Sequence, residues 1–160
     1  MREVLLTINH VYWLAGATIY VGVLLTLRLF LYPSWNTLWP DTINDHFTRP
    51  TEAATYFFLR AIPTWMFTSV VMIVTEWGES EVWLAIIAFL GLMTTTCVGW
   101  WGIQPINREI KAGVTDQARL TVLLRKWMKI NDLRLAAVVI MWSALCWYFV
   151  AKPDLPSALG

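Results

Sequence analysis

Read for hydropathy, the chain is four apolar runs separated by polar stretches. The runs are Leu5–Leu27, Ala53–Thr75, Val82–Ile103 and Leu133–Ala151. Each is close to the ~20 residues needed to cross a bilayer as a helix. The pattern predicts an all-α protein: an integral membrane four-helix bundle forming a single domain over residues 1–160. The first run is too long for a signal-peptide core, and no small-residue cleavage pattern follows it, so it reads as a mature span.

Polar stretches refine this outline. "LYPSWNTLWPDTINDHFTRPTEAA" carries Pro33, Pro40 and Pro50 and is expected to be irregular or to hold a short interfacial helix. Thr48 or Thr51 would cap the second helix, and Pro63 would kink it. After the third run comes "WWGIQPINREIKAG". Pro105 suits a bend where the helix leaves the membrane, Gly113 suits a helix stop, and Thr115 suits the next N-cap. From Asp116 the sequence reads as helix to Val150, about 35 residues or roughly 50 Å. Helices three and four are therefore expected to protrude as a cytoplasmic hairpin. Leu120, Leu124, Trp127, Asn131 and Arg134 recur at steps of four and three and mark one face of that helix.

Charge sets the orientation. Of twelve Lys and Arg residues, ten lie around the 28–53 and 104–132 connections: Arg28, Arg49, Arg60, Arg108, Lys111, Arg119, Arg125, Lys126, Lys129 and Arg134. Basic residues stay on the cytoplasmic side. Both termini are thus expected outside the cytoplasm, in the cell (inner) membrane, with the acidic turn "TEWGESE" also outside. A net charge of +1 points to no nucleic-acid partner.

Composition adds eleven Trp. Trp77 and Trp83 fall at the outer interface, and Trp35, Trp39, Trp100, Trp101 and Trp127 at the inner one, as an aromatic belt requires. Gly91, Thr95 and Gly99 form a small-residue face for close helix packing. Cys97 and Cys146 lie too far apart along antiparallel helices for a disulfide. No metal-ligand spacing occurs, and His10 and His46 fall on opposite sides of the membrane.

Candidate chemistry gathers at the inner edge of the bundle. Depth counting brings Arg28, Arg60, Asn131 and Arg134 to one level, with Thr94, Thr95 and Thr96 facing them. Arg in or near a bilayer is costly, so an Arg-rich layer is a functional candidate. It would favour an anionic group: a lipid phosphate, a carboxylate or a phenolate.

"PINREI" followed by "WMKINDLR" resembles the anthrone oxygenase-like family of small four-helix membrane proteins. Pro105 and Asn107 match its Pro-x-Asn element. Trp127, Asn131 and Arg134 match its Trp-x-x-x-Asn-His-x-x-Arg element. Gly16, Tyr32 and Pro33 are similar to its first helix and that helix's end. The resemblance implies oxygenation of an aromatic polyketide-like substrate at the inner Arg/Asn layer. One position departs: Asp132 stands where the family often has His. An ordinary Asp is ionised at neutral pH and a poor acid, so it would act as a weak base or pair with Lys129 or Arg134.

Two main readings follow. One is a non-catalytic accessory subunit of a larger membrane complex, contacting lipids and other membrane subunits. Its support is that Phe57, Phe58, Trp65, Phe67, Trp142 and Trp147 cannot all fit in a four-helix core. The other is the anthrone oxygenase-like enzyme. A transporter is weakest, because no span carries a run of midplane polar residues. Nothing in the sequence fixes a cofactor.

Overall fold

The computed structural model describes residues 2–152. Its four helices are α1 (Arg2–Trp35), α2 (Asn44–Thr75), α3 (Val82–Lys111) and α4 (Gln117–Ala151), each long and apolar enough to cross a membrane. They form a four-helix bundle with a basic end, at the 36–43 and 112–116 connections, and an acidic end at the 76–81 turn. Met1 and residues 153–160, including the C-terminal tail assigned an outward position, lie outside the described residues.

Three helices run further than their apolar stretches, and the prolines explain how. Leu27–Leu31, Asn44–Thr48 and Gly99–Ile103 are π-helical. Each ends two residues before a proline: Pro33, Pro50 and Pro105. A proline lacks an N–H and its ring crowds the carbonyl four residues back. A wider turn placed at that carbonyl relieves the crowding and lets the helix continue, as π-bulges do elsewhere. The stretch expected to be irregular is therefore largely helical. Trp35 then donates Nε1–H to the His46 carbonyl, four residues before Pro50, at 3.0 Å.

The caps differ from the sequence expectation. Neither Thr48 nor Thr51 caps α2, which begins at Asn44; Thr51 instead donates Oγ1–H back to the Phe47 and Thr48 carbonyls at 2.8 and 3.0 Å. Asp116 caps α4 in place of Thr115, accepting from Ala118 and Arg119 N–H. Gly113 has φ of +99°, the left-handed conformation that stops α3.

Buried stripes explain the packing. On α1, His10, Trp13, Ala17, Tyr20 and Leu24 are buried at helical spacing. On α2, Thr51, Phe58, Trp65 and Met72 recur every seven residues. A Cβ on Gly91 would lie 2.7 Å from Met141 Cβ, and one on Gly16 would lie 2.4 Å from the Trp65 indole. Both glycines are where helices touch backbone to side chain, the close approach expected of the Gly91–Thr95–Gly99 face.

A second apolar cluster fills the basic end. Trp35, Phe47, Ile106, Leu120, Leu124 and Trp127 are its most telling members, drawn from all four helices. The α3–α4 extension is therefore no lone hairpin: the ends of α1 and α2 pack beside it. Gln117 Nε2–H donates to the Leu38 carbonyl at 2.9 Å, and Lys111 pairs with Glu52 at 2.6 Å.

This cluster also corrects the aromatic belt. Trp35 and Trp127 are buried, whereas Trp39, Trp100, Trp101, Trp77 and Trp83 are exposed. Among the aromatics thought too numerous for the core, Phe58 and Trp65 are inside, Trp142 is half-buried, and Phe57, Phe67 and Trp147 are outside. Cys97 and Cys146 are free thiols, both half-buried.

Candidate functional site

The site lies where the two apolar clusters meet, at the level of the α3 π-turn. Arg134 on α4 is its centre. Its Nη1 donates to Asn131 Oδ1 at 3.0 Å, and its Nη2 donates to the Tyr20 hydroxyl at 2.8 Å. The Thr95 hydroxyl donates to the same Tyr20 oxygen at 3.4 Å. Asn131 Nδ2 donates to the Tyr32 hydroxyl at 3.0 Å, and Tyr32 donates to the Met128 carbonyl at 3.3 Å. A turn away, Trp127 Nε1–H donates to Asn107 Oδ1 at 2.9 Å.

Local sequence explains these placements. Trp127, Asn131 and Arg134 share the inward stripe of α4. Gly99 on α3 leaves room for the guanidinium: a Cβ there would sit 3.4 Å from Arg134 Cζ. Tyr20 continues the inward stripe of α1 and stacks on Phe58 of α2, with ring centroids 4.3 Å apart.

Arg134 forms no salt bridge among the described residues. Its Nε is buried with no acceptor. A guanidinium turned into a protein interior normally finds a carboxylate; for half-buried Arg134 two neutral oxygens stand in for it. The net positive charge faces a cavity of ≈ 280 Å³, walled by Tyr20, Phe58, Thr95, Ile103, Asn107 and Trp127 among others. That is close to the lower limit for small-ligand pockets, about 300 Å³. Leu59 and Trp100, both exposed on the outer surface of α2 and α3, also line it. The cavity therefore opens sideways between these helices.

The sequence-derived layer is brought together only in part. Asn107, Trp127, Asn131, Arg134 and Thr95 converge. Arg28 and Asp132 do not join them: they pair with each other at 3.1 Å on the half-exposed surface. Asp132 therefore pairs with neither Lys129 nor Arg134. Arg60 is also outside the layer. It is exposed, beside Tyr12 and Thr64, in a shallow groove between α1 and α2. Residue 60 lies ~200° round the helix from inward-facing Phe58 at ~100° per residue, so depth alone misplaced it. Thr94 is exposed as well. Tyr20 was missed, although its place on the His10–Trp13–Ala17–Leu24 stripe was the available signal.

A second polar group, also missed, closes the acidic end. The Tyr148 hydroxyl donates to Glu76 Oε1 at 2.7 Å and lies 3.3 Å from His10 Nδ1. Lys152 pairs with Glu76 Oε2. His10 and Glu76 are both buried. In sequence, Glu76 reads as one more carboxylate in an acidic turn, and His10 as a lone interfacial side chain.

No family model, curated protein or solved structure matches this chain.

Proposed function

We propose that this is an integral membrane protein that binds a flat, apolar molecule carrying one oxyanion, with the oxyanion held by Arg134. The observation that carries the reading is the Arg134 guanidinium, unpaired by any described carboxylate and set in the wall of an apolar cavity that opens laterally between α2 and α3. A lateral opening suits a ligand partitioned into lipid. An aromatic wall suits a ring system, and a fixed cation with an adjacent hydroxyl suits a phenolate or enolate.

The resemblance of Pro105, Asn107, Trp127, Asn131 and Arg134 to the anthrone oxygenase-like pattern supports a reaction at the same place. Arg134 and Tyr20 would stabilise the anion formed when an anthrone-like substrate loses its proton. That carbanion is the electron-rich form that reacts with dioxygen. Asp132 is taken up by Arg28 and offers no base to the cavity. The protein's share is thus to favour the ionised substrate rather than to remove the proton itself.

The accessory-subunit reading keeps one specific support: Phe67, Trp101 and Trp147 are largely exposed, and such side chains anchor partner helices as readily as lipid. One experiment separates the two. The chain, purified in mild detergent and placed in phosphatidylcholine nanodiscs, is expected to bind 2-naphthol as an isolated 18.4 kDa protein. Binding should tighten as pH rises toward the naphthol ionisation, because Arg stays charged throughout. Recovery only with other membrane proteins, and no naphthol binding by the isolated chain, would favour the subunit.

The orientation places the basic end in the cytoplasm and the acidic end outside, on the distribution of Lys and Arg. A Cys introduced at Ser80 is expected to react with a membrane-impermeant thiol reagent in intact cells, and one at Gly113 to be protected. The reverse labelling pattern would invert the protein.

A further inference from the structure

The Arg134 cavity adjoins a second one of ≈ 260 Å³ nearer the basic end, and the two share Thr51, Thr55, Leu59, Gln104 and Asn107 as walls. The second is more polar. Glu52, Arg108 and Lys111 line it. Lys111 is engaged by Glu52 at 2.6 Å, so this pair brings little net charge. Arg108 forms no salt bridge among the described residues. The two adjoining cavities thus have a cation without a described carboxylate partner at each end, Arg134 half-buried and Arg108 exposed at the mouth, and an apolar, aromatic middle.

Helix geometry sets its length. The Arg134 guanidinium rests on Gly99, and Arg108 follows nine residues later on the same helix. That is about 13 Å along the axis at ~1.5 Å per residue. Both side chains line the adjoining cavities, so the two positions an anion would occupy lie on the order of 10 Å apart. Two or three fused rings span such a distance.

We infer that the two adjoining cavities together take a single two-ended ligand: a fused-ring aromatic hydroxy acid, its hydroxyl oxygen at Arg134 and a carboxylate at the opposite end of the ring at Arg108. The inference rests on the Arg134 reading and deepens it. Arg suits the mouth because its planar fork matches a carboxylate with two parallel hydrogen bonds. Trp100 and Ile103, between the two cations on α3, border the ring body. A ligand with only the hydroxyl would leave the second cavity to water.

The test compares 2-naphthol with 6-hydroxy-2-naphthoate, which adds a carboxylate at the far end of the same ring. Affinities are measured by equilibrium dialysis in phosphatidylcholine nanodiscs at neutral pH. Wild type is expected to bind the naphthoate about 10-fold more tightly, the gain of one charge-assisted contact. In Arg108→Gln that ratio should fall to about one. In Lys126→Gln, whose side chain is exposed on α4, it should persist. A ratio near one in wild type, or an unchanged ratio in Arg108→Gln, would overturn the two-ended ligand while naphthol binding still supported the Arg134 site. Absence of naphthol binding would remove both. Anionic lipid offers the same chemistry, so the measurement is repeated in phosphatidylglycerol nanodiscs. Loss of the ratio there, with naphthol binding intact, would assign Arg108 to a lipid headgroup and overturn the inference.

Discussion

Arg134→Ala is expected to destabilise the protein by about 2 kcal/mol, since it removes two hydrogen bonds from a charged donor, each of which can contribute ~1.5 kcal/mol or more. The change strips the donors from Asn131 Oδ1 and the Tyr20 hydroxyl at once. Asn131 is only 1 % exposed, so water has little access to the oxygen left behind. Part of the loss is offset because an unpaired cation no longer faces an apolar wall. Lys129→Ala, one turn away but exposed, should change stability by less than about 0.5 kcal/mol. Thermal unfolding of both variants in one detergent makes the comparison. Equal midpoints would mean that the Arg134 layer is surface decoration. Arg134→Lys should recover only part of the loss, because an ammonium lacks the fork that reaches both oxygens.

The second large effect lies at the opposite end. Glu76→Ala is expected to cost about 2 kcal/mol, since a buried carboxylate's two charge-assisted hydrogen bonds are lost while Lys152, 28 % exposed, can rehydrate. Glu76 is 5 % exposed, and its carboxylate is shared by the Tyr148 hydroxyl and the Lys152 ammonium. It joins the end of α2 to the end of α4, and His10 brings in α1. Without it, among the described residues, Tyr148 keeps only His10 as a partner and Lys152 keeps none. Glu76→Gln should cost less, since its amide oxygen still accepts from Tyr148. Tyr148→Phe should cost about 1 kcal/mol, a single neutral hydrogen bond. The readout is again the unfolding midpoint. Identical midpoints for Glu76→Ala and wild type would show that the clasp contributes nothing.

The two polar groups differ in how far the sequence revealed them. Asn131 and Arg134 lay on a readable stripe, together with Leu120, Leu124 and Trp127, because one helix repeats its faces every 3.6 residues. Asn107 came from a motif resemblance, and its bond to Trp127 agrees with its place beside that stripe. Arg28 and Arg60 were assigned by depth alone, and Asp132 by its place in the motif resemblance. Depth is one coordinate of a helical residue, and the angle about the axis is the other. Arg60 and Phe58 lie at nearly the same depth but on opposite faces. Asp132 is one step from Asn131, enough to turn it out of the cavity and toward Arg28 on α1. The Glu76–Tyr148–His10–Lys152 group joins residues up to 142 positions apart, His10 to Lys152. No local pattern links them.

What the sequence determined by itself was everything with a local cause. Four long apolar runs require four helices, because backbone polar groups in an apolar medium must be satisfied within the segment. Gly113 ends α3 because its left-handed conformation suits a residue without a Cβ, and the close α3–α4 contact follows from the small side chains on α3. Tertiary structure alone decided what depends on two helices at once. It set the rotation that turns Tyr20 toward Arg134 and the packing that buries Trp35 and Trp127. It also decided that α2 and α3 part to leave a cavity beside Arg134. That gap belongs to the space between helices, which no single run of residues encodes.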